Sequence, residues 1–350
     1  MELKIAGGVG EHGRNCFYVD AGEDTFLVDC GKMGGSDNPF PKLERSDIRR
    51  VKYVFLTHSH ADHTGALPWL FKNGFDGTII ASSQTLEQLT FPLNNTVPLE
   101  NICTDNHGKN GGITFEYGRA GHCAGSVWYH FFVDNKSILF SGDYTENSAV
   151  YQCDKIRERK ADIAVIDCAY GNDETGFEEH CAEILSSVRR LREQFGTLFF
   201  PVPKYGRGLD LLKLLSENYP DAVYCGDEHF AAQLLCARND RYWYKNVTIS
   251  ALDYKNGQQC DILFISDPQL RSEKSHALVQ EIISSGGHGV MTGTVENGSF
   301  SEKLIGAGIM DFLRYPVHQN VKEYKALVDK NDFRKTIPYH TAEFSDPISS

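Results

Sequence analysis

One short segment of the sequence places three histidines and an aspartate within six positions. It spans residues 57–65, reads THSHADHTG and follows an apolar run at residues 51–56 that is typical of a strand. Imidazole nitrogens and carboxylate oxygens are ligands of first-row transition metals, among which zinc is the commonest choice. A polar surface loop is the alternative, but it needs three copies of an uncommon residue in six positions by chance. We therefore predict a metal-binding loop.

The order of the ligands within this loop indicates two metal positions. His58 and His60 are two residues apart after a strand, so their side chains point to one side together. Asp62 and His63 are adjacent in the sequence and project elsewhere as the turn proceeds. This division favours two ions close together over a single ion.

Two later residues are candidates for the rest of the metal shell. His122 lies in the segment GHCAGS, immediately before a strong strand pattern, and Asp143 ends the strand-like segment LFSGD. A carboxylate at a strand end can bridge two ions. Taken alone, His122 reads as a loop histidine and Asp143 as a turn residue. The metal loop upstream favours ligand roles for both.

The composition is typical of a soluble protein with one large domain or two ordinary ones, since 41% of its 350 residues are hydrophobic and 23% are charged. The N-terminus lacks a signal pattern, and no apolar run is long enough to span a bilayer. Ten cysteines without a C-x-x-C pair indicate a reducing compartment, so we expect a cytoplasmic protein with no membrane partner. The net charge of −12 argues against a surface that binds nucleic acid throughout, although a local metal centre still attracts a phosphodiester.

The pattern of elements changes near residue 177. The first half is dominated by strand patterns, and residues 92–112 read as a long irregular connection. From residue 177 onward, helical stretches alternate with short apolar runs, which predicts a second, mainly parallel sheet. A helix at 321–329 and a short strand at 336–339 are expected at the end.

The metal loop, GHCAGS and SGD resemble the signature motifs of the metallo-β-lactamase fold, in the right order. The second half resembles the β-CASP branch of that family, the nucleases similar to ribonuclease J and to cleavage-and-polyadenylation endonucleases. That second resemblance rests on four segments: DCAYG at 167–171, PVPKYGRGLDLL at 201–212, Val317-His318 and Tyr339-His340. The chain departs from the family at Cys168-Ala169, where a Ser-Thr pair is usual.

The resemblance implies an α/β fold, namely a metallo-β-lactamase αββα sandwich with an inserted α/β β-CASP domain. The metallo-β-lactamase domain would comprise residues 1–171 and 317–350, and the inserted domain residues 172–316. The protein would be a short form without the C-terminal domain of ribonuclease J.

The resemblance also implies a role for each candidate residue. Two zinc ions, with manganese as the alternative metal, would be bound by two sets of ligands that share Asp143. The first set is His58, His60, His122 and Asp143, and the second is Asp62, His63, Asp143 and His340. His318 would act as the general acid, oriented by Asp167, while Asp62 or Asp143 would help to steer a hydroxide.

A glycine-containing segment in the inserted part is a candidate phosphate site. Thr292, Gly293 and Thr294 follow an apolar residue and precede a helical stretch, so backbone N–H groups there can face an anion. A plain turn is the alternative. The other histidines are mostly expected to be surface or packing residues, with His288 kept in reserve: His12, His107, His130, His180, His229, His276 and His288.

The function implied by the resemblance is metal-dependent hydrolysis of RNA phosphodiester bonds, by a hydroxide activated by two zinc ions. Single-stranded RNA is favoured as the substrate because β-CASP proteins that act on RNA carry a histidine at the position of His340, where the DNA-directed branch tends to have valine. A DNA-directed β-CASP nuclease and a small-molecule metallo-hydrolase on the same scaffold are the alternatives.

Overall fold

Two folding units make up the chain, which the computed structural model describes over residues 1–255 and 258–344. The first unit comprises Met1–Glu146, Cys153–Glu174 and the chain from His318 onward, and the second comprises Asn147–Gln152 and Thr175–Val317. The prediction assigned residues 147–152 and 317 to the metallo-β-lactamase domain, whereas they group with the second unit, and it assigned residues 172–174 to the inserted domain, whereas they group with the first unit. The predicted end at residue 350 lies outside the described residues.

The helices and strands follow in chain order. Up to residue 167 they are β1 (Glu2–Gly7), β2 (Cys16–Asp20), a 3₁₀ helix (Gly22–Asp24), β3 (Phe26–Val28), α1 (Arg45–Arg50), β4 (Tyr53–Phe55), α2 (Ala61–Thr64), α3 (Leu67–Lys72), β5 (Thr78–Ala81), α4 (Ser83–Gln88), β6 (Thr96–Pro98), α5 (Leu99–Ile102), β7 (Cys103–Thr104), β8 (His107–Asn110), β9 (Ile113–Arg119), β10 (Val127–Val133), β11 (Lys136–Phe140), β12 (Lys160–Ala161) and β13 (Ile163–Asp167). The second unit adds α6 (Phe177–Gln194), β14 (Leu198–Pro201), α7 (Gly208–Asn218), β15 (Tyr224–Gly226), α8 (Glu228–Asn239), β16 (Leu252–Asp253), β17 (Ile262–Ile265), α9 (Glu273–Ser284), β18 (His288–Met291), α10 (Phe300–Gly306) and β19 (Met310–Phe312). The chain then returns to the first unit with α11 (Val321–Val328), β20 (Asp332–Phe333) and β21 (Thr336–Tyr339). None of the described helices combines the length and the apolar character that crossing a bilayer requires.

Two sheets form the centre of the first unit. One has the strand order β1-β2-β3-β4-β5-β6, and the other has the order β21-β13-β11-β10-β9-β8-β7. In the seven-stranded sheet, β11, β13 and β21 run parallel to one another, with Asp167 opposite Tyr339. The carboxyl ends of parallel strands meet at one edge of a sheet. The residues that follow these three strands, among them Asp143 and His340, are therefore neighbours in space.

Aromatic side chains fill the space between the two sheets. Phe55 of β4 and Phe131 of β10 are fully buried, and their ring centroids are 4.8 Å apart. The ring centroid of Phe26 of β3 lies 4.7 Å from that of Phe131, and the ring centroid of Phe115 of β9 lies 5.2 Å from that of Phe55. Tilted and edge-on aromatic pairs at such distances add to the free energy gained by burying the rings.

Helices cover the outer face of each sheet. Side chains alternate between the two faces of a strand, so Val54 points away from Phe55 and joins a core cluster with Ile48 of α1 and Leu67 of α3. On the other sheet, Leu139 of β11 joins a cluster with Tyr324 of α11. The resulting order of layers is helix, sheet, sheet, helix. The predicted α/β fold with an αββα sandwich is confirmed.

The second unit is built around a six-stranded sheet with the order β16-β15-β17-β14-β18-β19. Its strand pairs are parallel, and helices connect β14 to β15, β15 to β16, β17 to β18 and β18 to β19. Phe199 of β14 and Leu263 of β17 belong to a core cluster with Val279 of α9. This architecture agrees with the alternation of helices and apolar runs in the sequence.

Asp210 of α7 fixes residues 148–150 inside the second unit. Its buried carboxylate accepts hydrogen bonds from the hydroxyl of Ser148 (2.9 Å) and from the backbone N–H groups of Ala149 (2.8 Å) and Val150 (3.0 Å). Burial raises the pKa of Asp210 to about 6, although these hydrogen bonds oppose the shift. These contacts explain why the segment groups with the second unit.

The segment at residues 92–112 is not irregular, contrary to the prediction. It contains β6, α5, β7 and β8, of which the three strands are three, two and four residues long. β6 pairs with β5, and β8 pairs with β9, so the segment extends both sheets of the first unit. Strands this short carry no alternating pattern that a sequence analysis can recognise.

Phe131 and its chain neighbour Phe132 allow a test of the packing between the sheets. Phe131 is fully buried, whereas Phe132 is 37% exposed. We expect Phe131→Ala to lower the free energy of unfolding by about 3–5 kcal/mol, because a cavity remains between the sheets. Phe132→Ala serves as the matched control, with an expected loss of about 1 kcal/mol or less. Equal losses in chemical denaturation of the two variants would contradict this description of the core.

Candidate metal centre

The predicted metal loop leaves β4 and turns directly into α2. The first turn forms as the backbone N–H groups of His63 and Thr64 donate to the carbonyl oxygen of His60, at 2.9 and 3.0 Å. The ring centroid of His58 lies 4.6 Å from that of His60 and 4.1 Å from that of His63. His58 and His63 are fully buried, whereas His60 and Asp62 are partly exposed. The loop therefore gathers its imidazoles on the inner side of the turn.

Asp143 lies between two groups of imidazoles, with one carboxylate oxygen towards each. Its Oδ2 is 3.5 Å from Nε2 of His58 and 3.7 Å from Nε2 of His122. Its Oδ1 is 3.1 Å from Nε2 of His63 and 3.2 Å from Nδ1 of His340. This is the geometry required of a carboxylate that bridges two cations.

The structure brings the predicted ligands together in the two predicted sets. In each set, one potential ligand atom per residue lies within 4.8 Å of those of the other members. A third such set, which overlaps the first two, is Asp143, Asp167, His318 and His340. All of these side chains belong to the first unit. Their roles as ligands stay predictions.

Buried nitrogen atoms show that the two sets fit metal ions. Among the described residues, the buried Nε2 of His58 and Nδ1 of His340 face the carboxylate of Asp143, but neither forms a hydrogen bond of good geometry. A buried nitrogen left in this way costs free energy unless a ligand takes the place of water. Divalent cations match these donors, because the atoms around them are imidazole nitrogens and carboxylate oxygens.

The pKa shifts of these side chains without metal also support a site for cations. Burial, followed by the charge of His63, lowers the pKa of His58 well below its ordinary value, so this ring is a neutral ligand. Burial opposes ionisation of Asp143, but the neighbouring imidazoles outweigh burial and lower its pKa well below the usual range. Burial alone would lower the pKa of His340, yet Asp143 and Asp62 raise it to about 10. Without metal, the raised pKa keeps a proton on His340, where a cation would otherwise bind.

Asp29 orients His63 from outside the ligand sets. It follows β3, and its Oδ2 lies 2.7 Å from Nδ1 of His63, so that Nε2 of the same ring faces the centre. The backbone N–H and the hydroxyl of Thr57 donate to the same carboxylate, each at 2.8 Å. A carboxylate behind a ligating histidine fixes the tautomer and the direction of the ring. The sequence analysis missed Asp29, although Val28-Asp29-Cys30-Gly31 carries the same signal as Asp143, a carboxylate at the end of an apolar strand.

His318 and Asp167 form a pair beside the two ligand sets. Nδ1 of His318 is 3.0 Å from Oδ2 of Asp167, and the side chain of His318 is 14% exposed. The backbone N–H groups of Tyr144 and Ala169 each donate to Asp167 at 3.0 Å, so the carboxylate is held in place. The ring centroid of His318 lies 4.8 Å from that of His122. Asp167 therefore faces Nδ1 of the ring, and the role of His318 as a general acid stays a prediction.

Gln88, the last residue of α4, connects the two loops that carry the first ligand set. Its side-chain carbonyl accepts a hydrogen bond from the hydroxyl of Ser59 at 2.5 Å, and its amide donates to the carbonyl oxygen of Ala124 at 2.9 Å. Nδ1 of His60 and Nε2 of His122, on the same two loops, are 3.2 Å apart. Gln88 therefore helps to set the spacing between these two imidazoles.

The glycine-rich segment near the N-terminus also reaches the centre, which the sequence analysis did not predict. Nδ2 of Asn15 is 2.8 Å from Nε2 of His63, and Asn15 is completely buried. His12, predicted to be a surface or packing residue, has its ring centroid 5.9 Å from that of His340. Nothing in the local sequence indicates either contact, because each joins residues far apart in the chain.

The three predicted phosphate residues lie in the second unit. Thr292 is completely buried, and among the described residues its hydroxyl has no hydrogen-bond partner. A Cβ atom on Gly293 would lie 1.9 Å from the guanidinium of Arg207, so the absence of a side chain lets that cation approach the backbone. The carbonyl oxygen of Thr294 accepts a hydrogen bond from Gln269 at 2.8 Å. The reserve candidate His288 lies elsewhere in this unit, 3.1 Å from Asp311.

Residues 9–194 match the family model of the metallo-beta-lactamase superfamily, and the chain belongs to that superfamily. It is therefore a member of a superfamily of hydrolases that bind divalent metals.

Three relatives carry names that refer to transcription termination, to RNA cleavage or to polyadenylation. The transcription termination factor FttA of Methanocaldococcus jannaschii is 24% identical over 258 residues, which are 64% of this chain and 40% of that protein. The probable RNase MJ4 of the same organism is 28% identical over 256 residues, with 63% and 58% covered. The cleavage and polyadenylation specificity factor 73 of Drosophila melanogaster is 24% identical over 245 residues, with 62% and 36% covered. The chain spans less than two thirds of each of these relatives.

A solved structure shows the same fold over almost the whole chain. It is the crystal structure of a protein of unknown function from Enterococcus faecalis V583, with a TM-score of 0.61 at 11% sequence identity. The match covers 97% of this chain and 94% of that one.

Substitution of the bridging carboxylate tests the geometry of the two ligand sets. We expect the wild-type protein to bind about two zinc ions per chain, and Asp143→Ala to weaken both by at least about 100-fold, because both sets lose a ligand. His122→Ala should weaken only one ion. His107→Ala is the control, since that side chain is 71% exposed and belongs to neither set. Metal analysis after equilibrium dialysis measures the four proteins, and retention of both ions by Asp143→Ala would contradict the bridging role.

Metal binding should also displace protons. The pKa of His340 is raised to about 10 in the metal-free protein, so the ring is charged at neutral pH and must lose its proton to bind a cation. The raised pKa stabilises the metal-free fold below the unfolded value of 6.5, and this contribution is lost as the pH rises through about 10. We expect the apparent affinity for Mn²⁺ to rise between about pH 6 and pH 9, with proton release detected by calorimetry in buffers of different ionisation enthalpy. An affinity independent of pH would contradict this assignment.

Proposed function

We propose that this chain is a β-CASP nuclease that hydrolyses phosphodiester bonds of single-stranded RNA with two bound divalent cations, zinc or manganese. The observation that carries the proposal is the His318 and Asp167 pair beside the two ligand sets, because a phosphodiesterase needs a proton donor in addition to its metals. The names of the relatives, which include a probable RNase and a polyadenylation factor, support RNA as the substrate.

Each side chain has a separate role in the proposed reaction. The cations, when bound, would supply Lewis acidity to the phosphate and lower the pKa of a water molecule. A nucleophile derived from water attacks phosphorus, and the bond from phosphorus to the leaving oxygen breaks. His318 donates the proton from Nε2 to that leaving oxygen, while Nδ1 keeps its hydrogen bond to Asp167. Asp62, which is partly exposed and lies 3.0 Å from Nε2 of His340, accepts a hydrogen bond from the attacking water.

Asp167 orients His318 for this role. Its carboxylate lies 3.0 Å from Nδ1 of His318 and fixes the direction of the ring. The same carboxylate receives two backbone N–H groups, so it holds its position when the charge on the histidine changes.

The second unit contains a candidate phosphate-binding site of its own. We assign this site to residues 292–294 with the guanidinium of Arg207, which lies against the bare backbone of Gly293. Arginine is well suited to phosphate because its planar group donates several hydrogen bonds at once. This loop follows β18, at the carboxyl end of a parallel strand, where ligands of open α/β sheets usually bind.

Cleavage assays with the metal-loaded protein test the proposal. We expect cleavage of a 5′-monophosphorylated single-stranded RNA, weaker or no cleavage of DNA of the same sequence, and none of a thioester. His318→Ala should lower kcat by about 10²–10⁴-fold while the metal content stays unchanged, because a general acid is lost and no ligand is. His107→Ala is the control for replacing a histidine of the same unit.

Other results of these assays would identify a different substrate or a different proton donor. Cleavage of DNA alone, or of the thioester alone, would overturn the assignment to RNA in favour of a DNA nuclease or of a small-molecule hydrolase. Full activity of His318→Ala on RNA would show that the proton reaches the leaving oxygen from elsewhere. The product ladder separates internal cleavage from stepwise removal of 5′ nucleotides.

A further inference from the structure

Asn15, which immediately precedes β2, places a buried amide against the second ligand set. The residue is completely buried, and its Nδ2 lies 2.8 Å from Nε2 of His63 and 3.4 Å from Oδ2 of Asp62. His63 and Asp62 are both members of that set. The amide of Asn15 is therefore in direct contact with two of the groups that would hold the second cation.

Backbone hydrogen bonds fix Asn15 in this position. Its N–H donates to the carbonyl oxygen of Asp62 at 2.8 Å, and its own carbonyl oxygen accepts a hydrogen bond from the N–H of Gly31 at 2.9 Å. A Cβ atom on Gly31 would lie 1.6 Å from the carbonyl oxygen of Asp62 and 2.7 Å from the backbone nitrogen of Asn15, so this close approach requires glycine. The amide is thus held beside the centre before any ligand binds, which lowers the entropic cost of binding.

The contact between Nδ2 of Asn15 and His63 is incompatible with a bound cation. Oδ2 of Asp29 lies 2.7 Å from Nδ1 of His63, so Nε2 is the nitrogen that faces the centre. A cation that takes the lone pair of this nitrogen leaves none to accept a hydrogen bond from an amide N–H. Oδ1 of Asn15, on the other side of the amide, is buried without a hydrogen-bond partner among the described residues. A half-turn of the amide exchanges the two atoms and brings the oxygen to the metal side.

The spacing of these atoms is that of ligands around one cation. Two ligand atoms bound at about 2.1 Å, at right or tetrahedral angles to each other, are about 3.0–3.4 Å apart. Within the second set, Nε2 of His63 is 3.1 Å from Oδ1 of Asp143, and Nε2 of His340 is 3.0 Å from Oδ2 of Asp62. The amide atom of Asn15, at 2.8 and 3.4 Å from its two neighbours, has the same spacing. It therefore occupies the position of one more ligand.

We propose that Asn15 is a fifth ligand of the second cation, bound through its side-chain oxygen, and that it makes this position better suited to Mn²⁺ than the position of the first ligand set. The proposal rests on the two-cation function proposed above. With Asn15, the second position offers three oxygen atoms and two imidazole nitrogens, whereas the first offers one oxygen and three nitrogens. Oxygen ligands and a higher coordination number favour Mn²⁺, while four-coordinate sites rich in imidazole favour Zn²⁺.

Two substitutions of Asn15 distinguish a metal ligand from a hydrogen-bond donor. The measurement is calorimetric titration with Mn²⁺ of protein that holds one Zn²⁺ per chain, and retention of the Zn²⁺ shows that each variant is folded. We expect Asn15→Leu, which keeps the size and removes both polar atoms, to weaken Mn²⁺ binding at least about 10-fold. Asn15→Asp has an oxygen on the metal side and no N–H, so it should bind Mn²⁺ at least as tightly as the wild type. Asn135→Asp, in an exposed turn between β10 and β11, is the control for the added charge.

Weaker Mn²⁺ binding by Asn15→Asp would overturn the proposal, because it would show that the amide acts as a donor to Asp62. Unchanged binding by Asn15→Leu would overturn it as well. A wild type that binds fewer than two ions would refute the two-cation function itself. Two bound ions with no effect of Asn15 would refute only the proposed ligand, and two ions bound with the expected effects but without RNA cleavage would refute only the proposed reaction.

Diffraction from crystals of the wild type gives a result that does not depend on the folding of any variant. Data collected on both sides of the manganese absorption edge locate Mn²⁺ in protein loaded with both metals. The Mn²⁺ peak should lie within the second ligand set, with Oδ1 of Asn15 about 2.0–2.4 Å from it. An Asn15 amide more than about 3 Å from the cation would contradict a bond between them.

Discussion

The position of one buried carboxylate between two groups of imidazoles is the constraint on which the rest of this structure depends. Two unit charges of like sign 4 Å apart repel each other by about 4 kcal/mol at an effective dielectric constant of 20, and two divalent cations by about four times as much, so two neighbouring cations need a shared anion. Asp143 meets this requirement, with Oδ2 facing His58 and His122 and Oδ1 facing His63 and His340. The hydroxyl of Tyr339 donates to Oδ1 at 3.0 Å and helps to hold the carboxylate in this orientation. Without the cations, the same site is a costly cluster of buried charges and protons.

The fold supplies this arrangement by joining strand ends from distant parts of the chain. β3 and β4 are parallel neighbours in one sheet, so Asp29 and Thr57 lie side by side and Asp29 fixes His63. β11, β13 and β21 are parallel neighbours in the other sheet and place Asp143, Asp167 and His340 at one edge. The aromatic layer around Phe55 and Phe131 holds the two sheets against each other. A packing defect in this layer is therefore expected to alter the spacing between ligands as well as the stability.

The sequence predicted those site residues whose signal lies within one short segment of the chain. Six of the seven predicted ligands had a local signal, because the metal loop contains four of them and because His122 and Asp143 stand at strand ends with recognisable neighbours. His340 and the full set of ligands for each ion came from the family resemblance. The pairing of His318 with Asp167 came from a family resemblance, since the two residues are far apart in the chain and no pattern in either segment indicates the other. Asp29 was missed although its strand-end position was visible, because one carboxylate after a short strand is common. His12, Asn15 and the short strands at 96–110 were missed because only the tertiary structure gives them partners.

The glycine-rich segment at residues 7–15 contacts residues of the second ligand set. Its contacts with His340, Asp62 and His63 mean that changes near the N-terminus reach the second ligand set directly. Anomalous diffraction from crystals soaked in zinc tests most directly whether two cations share the carboxylate of Asp143. The expected map has two peaks, one among His58, His60, His122 and Asp143 and one among Asp62, His63, Asp143 and His340, each about 2.0–2.3 Å from its ligand atoms. A single peak, or density away from Asp143, would contradict it.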